Sequence, residues 1–190
     1  MNFARYGKSS DCGACLQVQG PSGSATFIVV DECPNSGADP LCMSMEHLDM
    51  APQGFQAIGG NGRIDSLSWK YVPCPVMTNM VEVAAQSNSN NFFATVGIRK
   101  HRYRIKTVEL VTNNGMTRTN LVRRDDNYFI IDSTTPTDTS GMALGPYRLR
   151  ITDIYGHWIE NKVMLTAGGK QSMALQFPAC PAGGSVDGGP

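Results

Sequence analysis

Hydrophobic and polar positions alternate with period two along most of this chain, and the runs are short. Leu16-Gln-Val-Gln alternates, Gly20-Pro21-Ser22-Gly23 is a turn signal, and residues 25–31 (ATFIVVD) are apolar and β-branched, which together predict a hairpin. Residues 32–47 form a Cys/Pro/Ser/Gly-bearing loop without periodicity. In the following segment Asp49 is placed to cap a short helix with Pro52 in its first turn. Phe55 and Ile58 would share its apolar side, and Gly59 would end it. Residues 63–75 alternate again and close on prolines, predicting a further strand. Beyond Pro75 the segments 80–85, 92–99, 105–112, 116–123, 128–132, 146–153, 158–165 and 172–177 each predict a short strand. Asn113-Asn-Gly115, Asp125-Asp-Asn127 and Gly168-Gly169 punctuate them. Short strands at spacings near ten residues, with no helical period, imply an all-β chain and a β-sandwich in its second part. Residues 178–190 are Gly/Pro-rich and read as a tail.

Charge divides at the same place as texture. The 190 residues carry 16 Lys+Arg and 16 Asp+Glu, but residues 1–76 hold four against seven and residues 77–178 twelve against eight. An acidic first part and a basic second part imply two units with separate surfaces: 1–76, 77–178 and the tail 179–190. The balanced total removes the simplest argument for a nucleic-acid partner. No apolar run approaches the roughly 20 residues that span a bilayer, so no membrane segment is expected. Five of six cysteines fall in the first part. Cys12-Gly-Ala-Cys15 has the spacing of a zinc knuckle, yet no second CxxC or paired histidine follows. The density therefore points to disulfides and an oxidising compartment, with neither metal nor cofactor. The opening MNFARYGKSS lacks the apolar core of a secretion signal. On their positions inside apolar segments, Trp69 and Trp158 are read as core, and Arg99–Lys106 as a solvated strand face with loose attraction for acidic polymers.

An ordered set of segments resembles the bacterial expansins: CGACLQVQGPSG, FIVVDECP, HLDMAPQGFQAIG, GRIDSLSWKYVPCPV, NNFFATVGIRKHRYRIKTVEL, YRLRITDIYG and ALQFP. The resemblance covers residues 2–178. It implies a double-psi β-barrel related to family-45 glycoside hydrolases, followed by an immunoglobulin-like β-sandwich that binds cellulose. It also implies a secreted, monomeric protein that loosens plant cell walls without hydrolysis, by disrupting contacts between cellulose and matrix glycans such as xyloglucan or xylan, with pectin a further partner. Family members carry an additional N-terminal segment that supplies the first barrel strands, so the barrel of this chain would be incomplete. An upstream reading frame would be expected to encode that segment and a signal peptide.

The resemblance also assigns residues. Asp49 matches the key groove carboxylate, which is the catalytic acid in the family-45 hydrolases, and Asp31 matches a groove aspartate with a binding role. Cys33 stands where relatives have a groove tyrosine. The implied disulfides are Cys15–Cys74 and Cys33–Cys42, leaving Cys12 free or able to capture Cys180. The cellulose-binding aromatics map onto Phe92 and Phe93. The third falls on Asp126, with Tyr128 two residues on and so on the same strand face. From alternation alone, one of the two phenylalanines would be core. Inverting hydrolysis would need a second carboxylate roughly 6.5–9.5 Å from Asp49, and no partner is identified, so no enzymatic activity is expected. The alternatives are a weak family-45-like endoglucanase and a protein-binding barrel of the protease-inhibitor kind.

Overall fold

The computed structural model describes residues 1, 3–33, 42, 44, 47–75, 80–137 and 145–179, and the chain divides into two compact units. The first comprises Met1–Gly7 and Asp11–Cys74; the second comprises Pro75–Pro178 with Lys8–Ser10. Cys180 and almost all of the tail lie outside the described residues. Among the described residues every strand pairing is antiparallel, and the fold is all-β apart from short helical turns. No helix among the described residues is long and apolar enough to cross a membrane.

In the first unit, after a single turn of helix α1 (Phe3–Tyr6), strands β1 (Cys15–Gly20) and β2 (Gly23–Ile28) form the hairpin that the alternation predicts. Only Pro21 and Ser22 separate the strands, and Gly20 faces Gly23. Strand β3 (Ser68–Val72) pairs with the other edge of β1, giving the order β2-β1-β3. It is shorter than the predicted 63–75, because residues 63–67 pair with no strand. Leu16 and Val18 of β1 face inward and are buried, and their cross-strand neighbours Phe27, Trp69 and Tyr71 pack on them. Helix α2 (Pro52–Ala57) has Pro52 at its start, as expected, and Ile58 just beyond it is fully buried. Cys15 Sγ is bonded to Cys74 Sγ, which clamps the end of β1 to the chain leaving β3, and Cys33 is bonded to Cys42. The first of these closes a loop of sequence separation 59, for which loop-closure entropy alone is worth about 4 kcal/mol. Cys12 is in no disulfide among the described residues.

The second unit holds two sheets. One has the order β11-β10-β6-β7, from Trp158–Val163, Tyr147–Asp153, Ile105–Thr112 and Thr117–Asn120. The other has the order β12-β4-β5-β9-β8, from Lys170–Ser172, Glu82–Ala85, Phe93–Arg99, Tyr128–Asp132 and Val122–Arg123. The predicted strand 116–123 is thus two strands in different sheets. Leu121, buried between them, donates its N–H to the Val108 carbonyl at 2.9 Å and marks the crossover. Each sheet turns a row of large apolar side chains inward: Leu110, Leu149, Ile151 and Ile159 in the first, and Val83, Val96, Ile98, Phe129 and Ile131 in the second.

Three readings from the apolar pattern fail. The predicted strand 172–177 does not form, since β12 ends at Ser172 and residues 173–177 are in no strand. Trp158 is 55% exposed rather than core, because alternation along β11 puts it on the side of Glu160 and Lys162 while Ile159 and Val163 turn inward. The basic run Arg99–Lys106 is not one solvated face, since β5 ends at Arg99 and β6 begins at Ile105, and between them His101 and Tyr103 are buried. His101 Nδ1 lies 2.7 Å from the Tyr103 carbonyl, which can only accept, so Nδ1 carries the proton. Burial pushes the imidazole pKa down to about 4, with the nearby Arg123 charge acting in the same direction against the bond to Tyr103.

A histidine held neutral in the fold but free to charge when unfolded costs stability as pH falls below its unfolded pKa near 6.5. Between pH 7 and pH 5, His101 should remove about 2 kcal/mol of unfolding free energy. Urea titrations of the wild type and of His101→Gln should differ in pH slope by that amount, and equal slopes would refute the buried neutral imidazole.

Candidate functional site

In the first unit an open cavity of about 720 Å³ lies beside the end of β3. Trp69, Leu67, Ile64, Leu48 and Phe55 supply apolar wall, and Arg5, His47, Asp49, Arg63 and Asp65 supply polar groups. The wall is stiffened from behind. Trp69 meets Tyr71 edge-on with ring centroids 5.5 Å apart, and the Arg5 guanidinium lies 5.0 Å from the Trp69 ring centroid. The Tyr71 hydroxyl donates to the buried Asp11 carboxylate.

Asp49 is exposed at this cavity, and its Oδ1 sits 2.9 Å from His47 Nε2. It does not cap α2, whose cap position is Ala51 with no side-chain hydrogen bond. The backbone arrives at α2 already extended at Ala51, so Asp49 lies too early to reach the helix amides, and its carboxylate is spent on His47. Asp65, which the sequence reading passed over, lines the same cavity and is ion-paired to Arg63 at 2.5 Å. Asp31 does not line it; that side chain is exposed and accepts the Glu32 N–H at 2.8 Å. Cys33 Sγ, His47 and Asp49 have donor atoms within 4.8 Å of one another, a spacing that suits a metal ion. The Cys33 sulfur is consumed in its disulfide, however, and the thiolate is the form that ligates metals.

In the second unit the outward face of the five-stranded sheet carries the aromatic residues that the sequence singles out. Neither phenylalanine is core. Phe92 precedes β5 and is 81% exposed, while Phe93, the first residue of β5, is half-buried and faces outward. Both backbone amides donate to Asn90 Oδ1, at 2.8 and 3.1 Å, which fixes the approach to the strand. Tyr128 begins β9 directly opposite Gly97 and lies over it. Gly97 and Phe93 share a strand face four residues apart, so the two rings sit roughly 14 Å apart along the strand. A Cβ at Gly97 would stand 2.9 Å from Tyr128 Cε1, so the flat seating of the ring requires glycine beneath it. Arg99 Nη2 donates to the Tyr128 hydroxyl at 2.8 Å and holds the ring's outer end. Asp126, at the third aromatic position of the resemblance, instead accepts from Gln86 at 3.2 Å and pairs with Arg124. Beside Tyr128, a basin of about 580 Å³ is lined by Gln86, Asn88, Arg99, Arg124 and Lys170.

No protein-family model matches the chain. In sequence it is similar to Expansin-like protein 2 of Dictyostelium discoideum, 28% identical over 167 residues, which are 87% of this chain and 38% of that protein. It is also 25% identical over 173 residues to Expansin-YoaJ of Bacillus subtilis (strain 168), across 90% of this chain and 66% of that protein. In fold it matches the crystal structure of a point mutant of the Clavibacter michiganensis expansin in complex with cellohexaose. The TM-score is 0.77 at 24% identity, over 95% of this chain and 82% of that one. In sequence and in fold the chain is similar to expansins. It spans less than two thirds of the length of these two curated relatives.

The chain thus has an exposed aspartate at an apolar-walled cavity in one unit and an outward aromatic face in the other. Asp65 was passed over because alternation read it as an ordinary position of the predicted strand 63–75, whereas residues 63–67 pair with no strand and bring it to the cavity. The seating of Tyr128 was half legible: its strand face follows from alternation, but the glycine beneath it depends on register.

Gly97→Ala should lift the Tyr128 ring from the sheet and break its bond to Arg99 while leaving the buried row intact. The check is Tyr128 ring NMR signals together with far-UV circular dichroism. Unchanged ring shifts in a folded Gly97→Ala protein would contradict the seating.

Proposed function

We propose that this chain is a secreted, non-hydrolytic wall-loosening protein that binds cellulose and matrix glycans such as xyloglucan or xylan and disrupts their contacts. The first unit is then a double-psi barrel, and the second an immunoglobulin-like sandwich that serves as the carbohydrate-binding module. The observation that carries this reading is the outward face of the five-stranded sheet, where Phe93 and Tyr128 share one side and Tyr128 lies over Gly97. Rings presented in this way bury the apolar faces of successive pyranoses on a flat polysaccharide. The cellohexaose bound by the Clavibacter expansin mutant supports the same ligand class. In the first unit, Asp49 acts as a glycan-binding carboxylate, hydrogen-bonding sugar hydroxyls from the cavity rim, while Asp31, exposed away from that cavity, takes no part in it. A general acid near neutral pH is usually a carboxyl desolvated in an apolar pocket, and Asp49 is exposed beside His47.

One observation favours a second reading, a weak inverting endoglucanase: Asp65 lies on the same cavity as Asp49 and could act as base. Its tie to Arg63 and its exposure weigh against that role.

Two assays decide between them. Phe93→Ala and Tyr128→Ala should each lower retention on microcrystalline cellulose about two- to tenfold, the worth of about 0.5–1.5 kcal/mol per aromatic contact. Soluble glucan should yield no reducing sugar with wild type, while wall creep under constant load falls in Asp49→Asn. Reducing-sugar release abolished by Asp49→Asn or Asp65→Asn would replace the first reading with the second.

A further inference from the structure

The exposed tryptophan belongs to a different surface from the aromatic face just described. Trp158 opens β11 in the four-stranded sheet, opposite Thr152 of β10, and neighbours Arg150 and Glu160 in the next outward row. The Arg150 guanidinium carbon lies 4.0 Å from the centroid of the Trp158 ring, and the Arg150 side chain is only 15% exposed. The indole therefore lies over a largely covered guanidinium, with its other face toward solvent. Arg150 is in turn held by Glu160, its Nε 2.7 Å from Oε2, and Glu160 also takes Arg148 Nε on Oε1 at 2.5 Å. The ring is thus seated on an ion-paired base rather than on a loop.

The charge around it differs from that of the other sheet. Arg118, Arg148, Arg150 and Lys162 occupy outward strand positions beside Glu109 and Glu160, so cations are in excess. On the five-stranded sheet the outward strand charges balance, Arg99 and Lys170 against Glu82 and Asp132. A rigid, upward-facing indole suits the apolar face of a pyranose, and surplus guanidinium and ammonium groups suit carboxylates on that sugar.

We infer that the outward face of the four-stranded sheet is a second glycan-binding surface, centred on Trp158, that takes uronate-bearing polysaccharide. It is independent of the cellulose reading, because its residues lie on another sheet. Binding there leaves Phe93 and Tyr128 available to a neutral glucan, so one unit could join an acidic polymer to a neutral one.

The test uses the full chain with polygalacturonate gel and microcrystalline cellulose as separate probes. Trp158→Ala should reduce retention on polygalacturonate at least fivefold and leave cellulose retention unchanged. Lys162→Ala should weaken the polygalacturonate arm and flatten its salt dependence. The chain has two tryptophans, hence two indole N–H signals; the one missing in Trp158→Phe should shift with oligogalacturonate and stay still with cello-oligosaccharide. Full polygalacturonate retention in Trp158→Ala, or an unmoved Trp158 signal, would overturn the inference even if cellulose binding stands. Loss of cellulose binding in wild type, with the Trp158 effects intact, would overturn the cellulose reading and leave this one supported.

Discussion

Consecutive side chains in a strand point to opposite faces, and in β5 that alternation does two jobs at once. Ala94, Val96 and Ile98 turn inward and are buried, supplying the middle of the second unit's core. Phe93, Thr95, Gly97 and Arg99 turn outward and form the surface proposed to meet polysaccharide. The strand sits between β4 and β9, so neither row can slip without moving the other. Thr95 is itself fully covered, its hydroxyl bonded to Gln86 Oε1 at 2.9 Å, which locks the outward row between the two aromatic positions. A ligand surface that shares a strand with the core is rigid because the core is.

The basic excess of the second unit is organised in the same way. Much of it is paired: Lys100 with Glu82, Arg124 with Asp126, and Arg148 and Arg150 together on Glu160. Burial would push the Glu160 carboxyl up, but the bonds from Arg150 and Arg148 outweigh it and hold the group below its usual range. Two guanidiniums on one carboxylate leave a net positive charge at a fixed place, which a mobile surface lysine would not. The sequence-level asymmetry of charge is therefore a statement about oriented groups on particular sheet faces.

Local signals carried most of the fold. The 15–28 hairpin and α2 follow from turn residues and contacts near in sequence, and the strands 105–112 and 128–132 from alternation alone, although their main partners β10 and β5 lie far off in sequence. The split of 116–123 was hidden, since a strand that changes sheets at Leu121 keeps its β character on both sides. Trp158 was misplaced by judging it on its own apolarity, when Glu160 and Lys162 at the same parity already put it outward. His101 was masked by the cations around it. The disulfides came from family resemblance, and five clustered cysteines alone would have left their partners open. The cavity residues were legible only in part: Asp49 was found, Asp65 was not, and Asp31 sits elsewhere.

That last separation bears on what the first unit can do. Glycoside hydrolysis needs two carboxyl groups in contrasting environments, one holding its proton until the leaving group takes it and one activating water. Asp49 and Asp65 share a cavity but not that contrast, for both are exposed and each is already engaged by a neighbouring basic residue. Such groups are well suited to exchange hydrogen bonds with sugar hydroxyls, because water and the neighbouring basic side chain can replace the sugar at small cost. The apolar wall of Trp69, Leu67 and Ile64 then supplies the contact area and the carboxylates the orientation. On the proposed reading, a cavity built in this way would take up a glycan chain and release it unaltered, as loosening without cleavage requires.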